Sequence, residues 1–283
     1  FFRTVAEGMD QYEDYAMGHN PENRMPLWVK PTEKVSPKLP MDCMRDHYEG
    51  TKMDMTQDIG AGGEGCPYRW RPMFFEVDGV EYCNERATAT QQTGFWLVGQ
   101  ARPNKVGILW FGTDDAATSP LTPIYVNSTE VPWCLSEENG SMLKYSDTSM
   151  FWITNRVAQF AYLRYNTVGK RVRSEVDKWE NAMIEYVKDI DMAIASKPKK
   201  AAKIATEFSV KSAEILFNYW VELDKYLMVK YIDGNVKGED ANGFIDNGNG
   251  KDIPGKIEQP GYSERWKRAV AKDNGEVLKV VKW

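Results

Sequence analysis

The residues best suited to chemistry gather around one acidic turn. Gly112-Thr113-Asp114-Asp115-Ala116-Ala117-Thr118-Ser119-Pro120 follows directly on an apolar run, Val106-Gly107-Ile108-Leu109-Trp110-Phe111. A small polar loop hung on a hydrophobic strand end is where scaffolds hold binding groups, and it is also what an ordinary polar hairpin turn looks like. The four cysteines, Cys43, Cys66, Cys83 and Cys134, form no C-x-x-C pair, and the only histidines are His19 and His47. A zinc site is poorly supported, and no metal or cofactor is expected. Free structural thiols are expected, with a disulfide an option only for an exported protein. The run Gly60-Ala61-Gly62-Gly63-Glu64-Gly65 lacks the Lys-Ser/Thr of a phosphate cradle and reads as a covering loop. Asp240 to Asp252 resembles a calcium loop in composition, but its spacing fails, so solvated Asn-Gly turns are expected. Sequons at Asn127 and Asn139 matter only in a host that glycosylates.

The elements around that turn follow from periodicity. The stretch from Arg86 to Gln100 reads as one strand and Val106 to Phe111 as the next, joined by Ala101-Arg102-Pro103-Asn104-Lys105. Asp78-Gly79 between Phe74-Phe75-Glu76-Val77 and Val80-Glu81-Tyr82 predicts a tight hairpin, and Pro120 to Val126 a further strand or edge segment. Helices are expected over Val5 to Ala16, Met41 to Tyr48, Thr148 to Tyr165 (apolar nearly all round), Arg171 to Ala195 and Ala201 to Phe208. Another runs from Val210 to Tyr231, with Ser209 as its cap. Three portions result: a strand-rich part over 1–145 with covering loops, a helical layer over 146–232, and a loop and tail over 233–283. The tail offers a short helix after Pro260 and an edge strand over Val277 to Val281.

Composition bounds the partners. The chain has 283 residues, 42% of them hydrophobic, and a net charge of -5. That is enough for a real core. No basic block argues for nucleic acid, and no run of 18 apolar residues argues for a membrane span. No signal peptide is read. The sequence opens on Phe1-Phe2-Arg3 without an initiator Met and reads as a mature product or a piece of a longer protein.

Several phrases, in order, carry a family resemblance: Arg45-Asp46-His47-Tyr48-Glu49-Gly50-Thr51, Met53-Asp54-Met55-Thr56, Cys66-Pro67-Tyr68-Arg69-Trp70 and Asn84-Glu85-Arg86-Ala87-Thr88. They continue with Gln91-Gln92-Thr93-Gly94-Phe95-Trp96, Gly107 to Phe111, Thr122-Pro123-Ile124-Tyr125 and Leu227 to Asn235. Together they resemble the C-terminal half of PepD-type cysteine dipeptidases, which are bacterial enzymes related to the secernins and belong to the N-terminal nucleophile hydrolases. The resemblance implies an α+β fold, part of a four-layer αββα sandwich with a helical C-terminal segment. It implies dipeptide substrates and a cysteine whose thiolate attacks while its own α-amine serves as base. Residue 1 is Phe, and no internal cysteine carries a free amine. The chain alone is therefore expected to be inactive, with the nucleophile half as its missing partner.

The same resemblance implies site residues. A late arginine should orient the nucleophile and stabilise developing negative charge, and Arg86 fits that role; the bland alternative is an ion pair with Glu85 or Glu81. Arg102 suits the carboxylate end of a dipeptide, and Asp114 and Asp115 its ammonium end. Two other classes compete. A peptide- or sugar-binding module would place Trp96, Trp110, Trp152 and Trp220 in one exposed patch. An assembly role would use 146–232 as a homo-oligomer surface. The compartment is open between exported or periplasmic and cytoplasmic, in a bacterium.

Overall fold

The computed structural model describes residues 2–281. Its centre is a three-stranded antiparallel sheet in the order β3-β4-β5, from Phe95–Gln100, Ile108–Thr113 and Thr122–Tyr125. Register places Trp96 opposite Gly112, Val98 opposite Trp110, and Trp110 opposite Pro123. Pro123 is tolerated because β5 lies at the sheet edge. Before this sheet, β1 (Phe74–Val77) and β2 (Val80–Cys83) form the expected hairpin. Asp78 and Gly79 both sit at positive φ, 52° and 78°, as a primed two-residue turn requires.

Alternation sorts the central sheet into two faces. Trp96, Val98, Ile108, Trp110 and Tyr125 join the main core. The other face carries Phe95, Leu97, Leu109, Phe111 and Ile124, continued by Val126. There Phe95 is 64% exposed, Leu97 46% and Val126 67%. Phe95 and Phe111 stack on that open side, 6.0 Å apart.

Three helices cover the buried face. After the short α1 (Phe2–Val5), α2 (Glu13–Ala16) and α3 (Lys38–Cys43), the last of which sends Met41 into the core, they are α4 (Met150–Leu163), α5 (Lys170–Ser196) and α6 (Ala201–Tyr231). The α5 stripe runs through Val172, Val176, Trp179, Met183 and Val187, and the α6 stripe through Ala213, Phe217, Trp220, Leu223 and Leu227. All ten residues are buried, as their 3.6-residue spacing requires. Trp179 Nε1 donates to Leu121 O at 3.1 Å, and Tyr125 N donates to Ser209 Oγ at 3.0 Å, so the helices are also hydrogen-bonded to β5 and its approach. Beyond α6, β6 (Val236–Lys237) pairs with β9 (Ile257–Glu258), and β7 (Glu239–Asp240) with β8 (Gly243–Phe244), before α7 (Glu264–Asn274). No helix among the described residues is long and apolar enough to cross a membrane.

Several expectations need correction. The strand expected from Arg86 begins only at Phe95, and residues 84–94 are loop. Ser209 is no cap: α6 runs unbroken through it, and its hydroxyl is spent on Tyr125. The N-terminal helix expected over Val5 to Ala16 is broken at Gly8, which adopts a left-handed φ of 75°. The helix α4 is not buried all round, since Leu163 is exposed. Val277 to Val281 form no strand. The overall class is mixed helix and sheet, as expected.

Candidate active site

The site is built where β4 ends. Gly112, one residue before the strand ends, lets the neighbouring chain approach: a Cβ there would lie 2.8 Å from Pro120 O and 2.9 Å from Trp96 Nε1. Two residues on, Asp114 takes φ 69°, a left-handed position that Asp tolerates better than most residues. Its N–H donates to Gly94 O at 2.9 Å. The reversal turns the next residue inward. Asp115 is fully buried and ties the turn, accepting from Ala117 N at 3.3 Å, from Thr118 Oγ1 at 3.1 Å and from the Tyr68 hydroxyl. Arg45 clamps the turn from its far side, donating through Nε to Ala116 O at 2.7 Å and through Nη2 to Ser119 O at 3.3 Å.

Around Tyr68 lies a nest of rings. Tyr162 sits 4.5 Å away, His47 5.2 Å and Tyr165 5.8 Å. His47 is buried, and its backbone N–H donates to Glu49 Oε2 at 2.7 Å while its Nδ1 lies 3.1 Å from Glu49 Oε1. An imidazole oriented by a carboxylate through one nitrogen leaves the other free for chemistry or a ligand. Three buried polar atoms here have no hydrogen-bond partner among the described residues, Arg45 Nη1, His47 Nε2 and Asp114 Oδ2.

Electrostatics follow burial. Burial, and then the neighbouring Asp115, push Asp114 well above the usual carboxylate range. Asp115 is also raised, because burial outweighs the hydrogen bond from Tyr68 and the charge of His47. Burial would raise Glu49 as well, but there the hydrogen bonds and charge of His47 win and bring it down to about 2. Burial raises the thiols of Cys43 and Cys66, and takes Cys134 up to about 12. All four cysteines are free, and these three are poor nucleophiles as they stand. Among the described residues, no three His, Cys, Asp or Glu side chains are grouped to hold a metal.

Asp114 carries a prediction. A carboxyl whose folded value lies above its unfolded one, near 3.8, binds its proton more tightly in the fold. Its ionisation therefore weakens the fold as pH rises past that point, until the folded value is reached. Asp114→Asn is expected to raise Tm at pH 7 by about 2–4 °C, the equivalent of roughly 1 kcal/mol in a domain of this size. The gain should fade below pH 4. A thermal scan at pH 3.5 and pH 7 checks this, and a pH-independent gain would be incompatible with it.

The sequence candidates separate in space. Asp114 and Asp115 stand together at the centre. Arg86 lies on the loop before β3, where its carbonyl accepts the Tyr48 hydroxyl at 2.8 Å. Its guanidinium makes no ion pair among the described residues, because Glu85 is taken by Arg69 at 2.5 Å. The bland expectation for Arg86 therefore fails. Arg102 is not brought to the site. It sits at the opposite end of the β3–β4 hairpin, paired with Asp191 at 2.6 Å and donating to Val106 O. Those bonds fasten the hairpin turn to α5.

The glycine run also resolves. Gly60 and Gly63 leave room for Arg69 and for Tyr262 and Trp266, so the run serves close packing. Asp58 pairs with Arg69 at 2.6 Å and accepts from Ala61 N at 2.9 Å. Asp240 to Asp252 holds exposed turns, with Asp240 accepting from Asn242 N at 2.7 Å. Trp96, Trp110 and Trp220 are buried and form no exposed patch with Trp152.

With this geometry in place, comparison with known families is decisive. The sequence matches the model of peptidase family C69 over residues 7–178, more than half of its length. The chain belongs to this family. It is thus a member of a peptidase family, and the matched span contains Arg45, His47, Glu49, Tyr68, Arg86, Asp114 and Asp115. The sequence matches none of the curated proteins with which it was compared. Among the described residues of this C69 member are openings large enough for a ligand. A cleft of about 350 Å³ lies between the 45–57 loop and the start of α5, bordered by Ala117 of the acidic turn. An open groove of about 650 Å³ runs along α6. The groove's charges answer one another, as in Lys211–Glu214 at 3.3 Å, and it contains none of the residues described above.

Reasoning from the sequence missed Arg45, His47, Glu49 and Tyr68 as site residues. One of only two histidines, two residues from a glutamate, was the available signal. Nothing in the spacing placed it beside a tyrosine more than a dozen residues later.

Proposed function

We propose that this peptidase hydrolyses dipeptides as the later portion of a four-layer αββα amidase. The nucleophile in this reading is an N-terminal cysteine outside the chain. Its thiolate attacks the peptide carbonyl, and its α-amine takes and returns the proton. The observation that supports this best is the open face of the central sheet. Phe95, Leu97, Phe111 and Val126 present apolar surface on the side away from the helices. In a sandwich, such a face packs on a second sheet about 10 Å away. It leads straight to Asp114, where the reactive group would then stand. In this reading Asp114, with its unpartnered oxygen, receives an ammonium. Asp115 positions Tyr68 and the turn, and Arg86 faces the developing negative charge. The raised thiols of Cys43, Cys66 and Cys134 favour a nucleophile elsewhere.

The test is hydrolysis of glycyl-leucine by the product of the whole reading frame, including whatever precedes Phe1. The expected result is turnover that iodoacetamide abolishes through one cysteine, identified by peptide mapping as an N-terminal residue. Residues 1–283 alone should show none. Turnover by residues 1–283 alone, or full activity after alkylation, would remove the reading.

A further inference from the structure

The cleft beside the acidic turn has a charge pattern that the proposed chemistry has not used. Its walls carry Arg45, Lys170 and Arg173, with Glu49 as the acid and Gln57 and Asn166 as neutral amides. Most of these charges are balanced locally. Glu49 is engaged by His47 through two contacts, at 2.7 and 3.1 Å. Arg173 is held by Asp42 at 2.5 Å and by Asp177 at 3.2 Å. One positive charge and one buried donor are left over. Lys170 is exposed, and its ammonium has no ion pair or hydrogen bond among the described residues. Arg45 is fully buried and its charge is met by Glu180 through Nη2, but its Nη1 has no hydrogen-bond partner and lies 3.6 Å from Asp42. A buried guanidinium nitrogen with nothing to donate to is costly unless a ligand or water completes it.

We infer that this cleft receives the C-terminal carboxylate of a short peptide, with Lys170 as the exposed recruiting charge and the Arg45 guanidinium at its floor. The inference rests on the dipeptidase reading for the identity of the peptide. Three observations favour a carboxylate of small size. The one unpaired charge in the cleft, on Lys170, is positive, and the unused Arg45 Nη1 is a donor that suits a carboxylate oxygen. The volume, about 350 Å³, is at the lower end for ligand sites and suits two residues better than a long chain. Ala117 borders the cleft, so a peptide anchored here by its carboxylate can extend toward Asp114. That places its carboxylate by Lys170 and its amino end by Asp114 Oδ2, an acceptor with no protein partner, across one turn. Glu49 closes the remaining side with a negative charge, which would repel an acidic side chain placed there.

The experiment compares glycyl-leucine with glycyl-leucinamide, which lacks the carboxylate, on the whole gene product and on Lys170→Ala and Arg173→Gln. The wild type should show a KM for the amide at least about tenfold above that for the free dipeptide. Lys170→Ala should raise KM for glycyl-leucine about tenfold with kcat unchanged, and should leave the amide's KM alone. Arg173→Gln, checked for folding by circular dichroism, should move KM in the same direction. Calorimetric titration of glycyl-leucine separates the two readings. Saturable binding that Lys170→Ala weakens, without any hydrolysis, would keep the carboxylate site and remove the dipeptidase reading. Hydrolysis in which the amide and the free dipeptide share one KM, and Lys170→Ala changes nothing, would overturn the inference alone. Neither binding nor hydrolysis would overturn both.

Discussion

Glu180→Ala is expected to destabilise the chain by about 3–5 kcal/mol, among the largest losses available to a single side chain here. Glu180 on α5 is fully buried and bonds Arg45, which is buried with it. It also accepts from Leu121 N at 3.0 Å and lies 3.3 Å from Lys38 Nζ. Removing it leaves the Arg45 charge in the core, 4.6 Å over the Trp96 ring, with only Asp42 at 3.6 Å in support. Arg45 cannot lose its proton to escape that cost. The same arginine holds Ala116 O and Ser119 O, so the turn bearing Asp114 and Asp115 should loosen at the same time. Urea denaturation is the measurement. Asp177→Ala, one turn earlier and partly exposed, is the control and should cost about 1 kcal/mol or less. The double change Arg45→Met, Glu180→Leu should recover much of the loss, because it removes both charges. A Glu180→Ala loss no larger than the control would mean that the pair is not buried as described.

How much of this could be read from the sequence depends on the range of the interaction. Helices α5 and α6 were legible because each repeats an apolar residue every three or four positions for more than twenty residues. The β1–β2 hairpin was legible because Asp-Gly fixes its own turn locally. Arg86 to Gly94 was misread as strand because alternation alone cannot show whether a partner lies alongside. Ser209 was misread as a cap because a serine inside a helix and a serine at its start look alike in sequence. The contact that decides it, with Tyr125, is 84 residues away.

The site shows the same division. Asp114 and Asp115 stood out because they follow an apolar strand directly. Arg102 looked equivalent, being also at a strand end, but antiparallel pairing sends the two ends of a hairpin in opposite directions. Only the register of Phe95 with Thr113 and of Gln100 with Ile108 shows that Arg102 and Asp114 cannot meet. The His47–Glu49 pair and Tyr68 reach Asp115 through loops, whose paths no periodicity records. Their meeting depends on Arg45 and Arg69, which bind the loops to the core and to one another.

Arg86→Ala is expected to lower kcat/KM of the whole gene product on dipeptides by about 100-fold or more, mainly through kcat. The reasoning starts from what Arg86 does not do. Most surface arginines are spent on a nearby acid, and two glutamates, Glu81 and Glu85, are close in sequence. Glu85 is committed to Arg69, and Arg86 itself is exposed and unpaired among the described residues. Its backbone, by contrast, is fixed by the Tyr48 hydroxyl at 2.8 Å. A fixed backbone with a free guanidinium, lining the crevice beside Tyr68, is what transition-state stabilisation needs. In the proposed mechanism the donor stays uncommitted until charge develops. Because the side chain bonds to nothing among the described residues, Arg86→Ala should leave the urea midpoint unchanged, which separates a chemical role from a structural one. Arg86→Lys should restore only part of the rate, since an ammonium keeps the charge but loses the planar fork. A kcat/KM within twofold of wild type in Arg86→Ala would take the arginine out of the mechanism, and a rise in KM at constant kcat would reassign it to holding the substrate before reaction.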